Sequence, residues 1–213
     1  MNILLIGPQG SGKGTQARLL VEKLGFYYFE SGEFLRKIAE KNEKVREMLS
    51  GGTFVPDKEM VSYVTAYLDE EGIYDNILFD GFPRSIVQYD FLKSWMSDKK
   101  VAIDLALILV ISEDETIRRL SSRRQDSKTG KIYNLITDPP PPDIDTEVLI
   151  QRNDDKPDAI KKRLSWYQDL VVPLIAKLKK ETKVIEINGE RPIEEIQNDL
   201  IKWINSIQRQ KKR

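Results

Sequence analysis

Residues 7–15 read Gly-Pro-Gln-Gly-Ser-Gly-Lys-Gly-Thr and follow the apolar run Ile3-Leu4-Leu5-Ile6 directly. Gly7, Gly12 and Lys13 satisfy the phosphate-binding loop pattern G-x-x-x-x-G-K-[ST], except that Gly14 stands where Ser or Thr is expected and Thr15 follows it. Glycines let such a loop curl until several N–H groups face one anion. The helix behind it contributes the positive end of its dipole. Apolar residues at Ala17, Leu20, Val21 and Leu24, then Gly25, predict that helix and its stop. This strand–loop–helix order commits the chain to an α/β fold with a phosphate at the carboxyl end of its first strand. Lys13 supplies a cation for β/γ oxygens, and the absent hydroxyl at position 14 leaves any Mg²⁺ to be held by phosphates and water.

Further short apolar segments, at 26–29, 77–80, 105–111 and 184–188, alternate with amphipathic ones. Their low polarity predicts strands buried on both faces, as in a parallel sheet covered by helices. Ser112 and Glu115 suggest a capping box. The 157–179 segment repeats apolar residues at helical spacing with a kink expected at Pro173, and Pro192 opens a last helix. Two regions break the alternation. Residues 30–59 carry two short helical patterns ending at Gly51-Gly52. Residues 121–152 are polar and Pro-rich, with a turn at 128–130 beside a strand-like run over 131–137. A long irregular stretch inside a compact domain is a lid or a loose loop. Arg119, Arg123 and Arg124 before it and Arg152 at its end favour a lid.

Composition removes whole classes of chemistry. The chain has 213 residues, no cysteine and no histidine, so disulfides, thiolate metal sites and imidazole catalysis are excluded. Its 34 basic and 34 acidic residues cancel, which gives no global field for nucleic acid or an acidic membrane. The longest apolar stretch, 101–111, contains Asp104 and is too short to span a bilayer. A soluble, reducing, cytoplasmic setting is expected, and the basic tail 208–213 reads as a solvated end.

Phosphoryl transfer needs little beyond positive charge converging on phosphates. The candidates are Lys13 with Arg36, Arg84, Arg119, Arg123, Arg152 and Arg163. Arg84 leaves a buried strand through Asp80-Gly81-Phe82-Pro83, at the sheet end where open α/β folds bind ligands. Asp80 reads as an orienter of waters around Mg²⁺, with a strand-end turn residue as the alternative. Asp154-Asp155 reads as a helix N-cap ahead of Pro157.

Six segments, in order, resemble the adenylate kinase family: the loop at 7–15, Ser-Gly-Glu-Phe-Leu-Arg (31–36), Val-Pro-Asp (55–57), Asp-Gly-Phe-Pro-Arg (80–84), Gln-Arg-Asn-Asp-Asp (151–155) and Arg-Leu-Ser-Trp-Tyr (163–167). They span nearly the whole chain, and Gly14 before Thr15 is ordinary in that family. The resemblance implies a five-stranded parallel P-loop core (1–29, 60–118 and 156–213). It also implies a small helical AMP-binding insertion (30–59) and a lid (119–155). It implies ATP held by Gly10, Ser11, Gly12, Lys13, Gly14, Thr15, Arg119, Arg123, Tyr133 and the backbone at Arg191. AMP would be held by Ser31, Arg36, Val55, Gly81, Arg84, Gln88, Arg152 and Arg163, with Gln88 reading the adenine edge. Lys13, Arg84, Arg123, Arg152 and Arg163 would catalyse, with Asp80 reaching Mg²⁺ through water and Phe82–Pro83 cis. The expected partners are ATP, AMP and ADP, and the expected state is a monomer. Three departures stand out. Glu33 replaces the usual Asp, Asn134 stands where many long-lid relatives have His, with the usual Thr-Gly-Glu missing, and the absent cysteines exclude a zinc-bound lid. The rivals are a UMP/CMP kinase, against which the long lid argues, and a non-catalytic nucleotide-binding module, against which the full set of arginines argues.

Overall fold

The computed structural model describes residues 1–50 and 53–211. Five parallel strands form the central sheet: β1 (Asn2–Ile6), β2 (Tyr27–Glu30), β3 (Ile77–Asp80), β4 (Ile103–Val110) and β8 (Val184–Asn188), in the order β2-β3-β1-β4-β8. Strand side chains alternate between faces, and here both faces are covered. Leu4, Ile6, Phe79, Ala106 and Ile108 pack beneath α4 (Asp57–Glu70), α5 (Ile86–Asp98) and α8 (Val172–Glu181). Ile3, Leu5, Leu78, Leu105, Leu107 and Leu109 pack beneath α1 (Lys13–Leu24) and α9 (Ile193–Lys211). Two-sided burial is why these strands read as unbroken apolar runs. Truncating a fully buried member such as Leu107 to Ala is expected to cost about 2–5 kcal/mol.

One buried polar residue of the core, Asn2, serves the backbone around it. The buried Asn2 side chain donates to Tyr74 and Ala102 carbonyls and accepts from the Ile77 N–H. The Asn2 N–H donates to Asp104 Oδ2 at 2.8 Å, so β4 begins two residues earlier than its apolar run. β2 starts one residue later than expected, because Gly25 turns the chain out of α1 at φ 70°.

The first insertion holds α2 (Ser31–Lys41) and α3 (Glu43–Ser50), as the two helical patterns predicted. Their expected end at Gly51-Gly52 lies outside the described residues, as do Lys212 and Arg213 of the basic tail. After α6 (Glu113–Ser121) comes a small antiparallel sheet of β5 (Arg123–Asp126), β6 (Ile132–Asn134) and β7 (Leu149–Ile150), ordered β6-β5-β7. Its first turn falls where expected. Asp126 Oδ1 accepts from the Lys128 and Thr129 N–H groups at 2.7 and 3.0 Å, and Gly130 takes φ 73°.

The helical pattern expected over 157–179 is divided. Between α7 (Pro157–Trp166) and α8 lies a π-helical stretch, Tyr167–Val171, just ahead of Pro173, whose missing N–H leaves a carbonyl of the preceding turn without its helical donor. One local expectation is corrected: the capping box at α6 is only half made. Ser112 Oγ accepts from the Glu115 N–H at 3.2 Å, but the Glu115 carboxylate turns to Arg118 and Arg119. Glu190 takes its place, accepting from the Ser112 N–H at 2.8 Å. Among the described residues, no helix is long and apolar enough to cross a membrane.

Candidate active site

A cavity of roughly 610 Å³ opens at the carboxyl end of the sheet, between the first insertion and the second sheet. The 7–15 loop forms its floor. Gly10 and Gly12 sit at φ 81° and 90°, which an L side chain rarely adopts. Gly12 caps α1 without any side-chain acceptor, and no acidic residue occupies the helix's first turn. The first-turn N–H groups of α1 therefore stay available to an anion. Ser11 Oγ is buried without a hydrogen-bond partner.

Lys13 lies at the centre. Its ammonium donates to the carbonyls of Gly7 and Pro8 at 2.8 and 2.9 Å. Burial pulls its pKa down to about 8, against the attraction of Asp80 and with the repulsion of Arg84, Arg123 and Arg163. Asp80, at the end of β3, accepts from the Tyr28 hydroxyl at 3.0 Å. Burial pushes its carboxyl pKa up and Lys13 pulls it down. A Cβ on Gly14 would lie 3.9 Å from both Asp80 Oδ2 and the Tyr28 hydroxyl. The position that lacks a hydroxyl thus adjoins a buried carboxylate.

Elsewhere on the cavity wall, two backbone segments approach closely. Ser31 Oγ donates to the Gly81 carbonyl at 2.8 Å, and Arg84 donates to that carbonyl at 2.6 Å and to Ser31 Oγ at 3.1 Å. A Cβ on Gly81 would sit 2.7 Å from Ser31 Oγ, and its φ is 73°. The Phe82–Pro83 peptide is cis. Arg36 also lines the cavity, 3.5 Å from Glu30.

Opposite the loop, each arginine arrives with a partner. Arg123 holds Asp155 through two bonds of 2.8 and 2.6 Å, and the Asp155 side chain is fully buried. Arg163 pairs with Asp154 and stands 3.8 Å from Asp155. Arg152 Nε donates to Gln125 Oε1 at 2.7 Å. Arg119 Nε meets Glu115 Oε1 at 2.5 Å. The hydrogen bonds from Arg118 and Arg119 hold the Glu115 carboxyl down at a pKa of about 2. Burial, then mutual repulsion, lowers the guanidinium pKa of Arg84, and burial does so for Arg152 and Arg163. Tyr133 is buried in the wall, and Arg191 lines the cavity while bonding Asp199 at 2.7 Å.

The structure thus gathers Gly10, Ser11, Gly12, Lys13, Gly14, Thr15, Ser31, Arg36, Asp80, Gly81, Arg84, Arg119, Arg123, Tyr133, Arg152, Arg163 and Arg191 around one space. It leaves Val55 and Gln88 off the wall. Val55 packs into the core beside Met60. Gln88 Oε1 accepts from the Arg84 N–H at 2.7 Å, and its amide donates to Asp57 at 2.8 Å. The reading of Asp154-Asp155 as a helix cap is corrected. Lys156 occupies the N-cap of α7, and both acids instead hold arginines. Sequence reasoning took Glu115 only as a helix cap and passed over Tyr28 and Phe54. Only Glu115 carried a signal, acid three and four residues ahead of arginines on a helix.

The family model described as Adenylate kinase matches residues 5–183. Among similar proteins, the adenylate kinase of Salinibacter ruber is 32% identical over 98% of this chain and 100% of its own length. That of Thermosipho africanus is 35% identical over 96% of this chain and 99% of its own. That of Pyrococcus furiosus is 36% identical over 92% of each.

Proposed function

Since the chain belongs to the adenylate kinase family and is a phosphotransferase, we infer that its cleft carries out the reversible exchange Mg·ATP + AMP ⇌ Mg·ADP + ADP. The observation that carries the reading is convergence. Lys13 from the loop and Arg84, Arg123 and Arg163 from three remote segments act on one buried point. The acceptor phosphate is already an anionic nucleophile, so no general base is needed in a chain without histidine. Alignment and charge neutralisation lower the barrier.

In this reading Arg36 and Arg84 grip the acceptor phosphate and Arg119 stacks on the donor adenine. Arg123, Arg152 and Arg163 spread over the donor and transferring phosphates. The Gly81 backbone lines the acceptor base, and the Val55 backbone joins it only as the first insertion closes. The Gln88 amide spends one acceptor site on Arg84 N–H and one donor on Asp57, which leaves a donor and an acceptor for an adenine edge. Residues 30–59 close over AMP, and 119–155 act as a lid that excludes water.

The donors suit Mg²⁺ carried by the nucleotide. Asp80 is a single buried carboxylate beside Gly14, and the described residues hold no cluster of three His, Cys, Asp or Glu. A cation that keeps its waters and takes substrate phosphates needs no more than that. The cation would supply charge neutralisation at the transferring phosphates, and Asp80 would hold its waters. A cytoplasmic monomer completes the proposal.

Purified protein given Mg²⁺ and ADP is expected to make ATP and AMP in equal amounts, and no product overturns the reading. With ATP held fixed, AMP is expected to outperform UMP, CMP and GMP as acceptor. Preference for UMP or CMP would replace it with the pyrimidine kinase.

A further inference from the structure

Phe54 lies between α3 and α4, with neighbours that pull the chain in opposite directions. Val55 is buried in the core, which turns the adjacent Phe54 ring the other way, into the cavity wall, where it remains 37% exposed. That ring meets two partners from outside the insertion. Trp166, at the end of α7, lies 4.1 Å away between ring centroids. The Arg84 guanidinium sits over the Phe54 face, 5.9 Å from its centroid. Trp166 is three residues after Arg163, so the two share one face of α7. Phe54 therefore touches the acceptor-side Arg84 directly, and the helix that carries Arg163.

Something must hold those arginines close. Arg84 and Arg163 repel one another across a cleft that desolvates both. Asp154 and Asp155 answer only the Arg163 side. On the Arg84 side, Asp80 and Glu30 attract the guanidinium without an ion pair to it, and its side-chain hydrogen bonds go to the neutral Ser31 hydroxyl and Gly81 carbonyl. An aromatic face attracts a cation and an adjoining ring without adding a counter-charge that would compete with phosphate.

We propose that Phe54 and Trp166 form an aromatic clasp that holds the 30–59 insertion against α7 and so positions Arg84 for the acceptor phosphate. They are positioning residues, not catalytic ones. The proposal rests on AMP being the acceptor. Its signature is a split between substrates: losing the clasp weakens acceptor binding and spares the donor, whose arginines are tied by Asp155 and Glu115.

The test varies AMP at saturating Mg·ATP, then Mg·ATP at saturating AMP. Phe54→Ala is expected to raise KM for AMP about three- to tenfold, with kcat within about twofold and KM for ATP unchanged. Phe54→Tyr is expected to restore the parent KM. Phe54→Leu, which keeps bulk but has no ring face, is expected to stay impaired. Trp203→Phe removes one competing fluorophore, and in that background AMP is expected to shift tryptophan emission in the parent but not with Phe54→Ala. An unchanged KM for AMP, equal changes in both KM values, or full rescue by Leu overturns the clasp. Failure of the parent protein to phosphorylate AMP instead overturns the reading on which it rests.

Discussion

The loop at 7–15 and the arginines facing it address the same phosphates by opposite means. The loop is nine consecutive residues whose binding groups are mostly backbone, and it waits unsatisfied. Ser11 Oγ has no partner, and no side chain caps α1. The facing cluster comes from separated segments and arrives satisfied, Arg123 on Asp155, Arg163 on Asp154 and Arg152 on Gln125. The contrast follows from charge. Backbone dipoles can converge on empty space at little cost, whereas several guanidinium groups in a desolvated cleft cannot. Carboxylates, the buried Asp155 above all, make the cluster possible before any phosphate arrives. Lys13 belongs to the first region and pays for the second, since the nearby arginines add to the burial that lowers its pKa.

The sharpest way to break the comparison is to remove the loop's one full charge. Lys13→Met is expected to lower kcat by about 10²–10³-fold with the fold intact, as thermal melts would check. An unchanged rate would mean that the backbone and arginines suffice.

A smaller effect should come from the cluster's counter-charge. Asp155→Asn leaves Arg123 without its buried carboxylate, and breaking such a pair costs about 3–5 kcal/mol of stability. KM for ATP is expected to rise about tenfold, measured beside the melting temperature. A stable variant with an unchanged KM would show that the arginines assemble unaided.

The smallest effect is graded with pH. Burial pulls the Lys13 pKa from the ordinary 10.5 down to about 8, and a bound phosphate should return it upward. Nucleotide binding should therefore take up a proton between about pH 8 and 10.5. Affinity should fall by up to tenfold per unit as pH rises above 8. Calorimetry at pH 8.5 in two buffers of different ionisation enthalpy measures the uptake. Lys13→Arg, always charged, should abolish it. The linked stability effect has the opposite sense. The unfolded chain binds more protons in that window, so this group's penalty is full below pH 8 and fades as pH climbs to 10.5.

Much of the fold was legible because its signals are local. Strand burial on both faces writes apolar runs such as Leu105 to Leu109 into the chain, and Gly25 marks where α1 stops. The antiparallel sheet of 123–150 was legible only as a turn and one strand-like run. Its strands are two to four residues long, and no apolar face repeats often enough to show their pairing. Gln88 and Val55 were legible only by resemblance; Gln88 is held off the cavity wall by its bonds to Asp57 and Arg84, and Val55 by its place in the core.

From the order of residues alone came the phosphate loop, the parallel sheet, and a chemistry without imidazole, thiol or general base. Each depends on composition or on neighbours within a few positions. Which acid serves which arginine was a matter for three dimensions. Asp155 looks like a helix cap beside Pro157, yet 32 residues separate it from Arg123, and only folding brings them within 2.6 Å. The same holds for Phe54 and Trp166. Pairing over such spans is set by how α7, the second sheet and the first insertion pack around one cleft, because charge and ring contacts act through space and carry no trace along the chain.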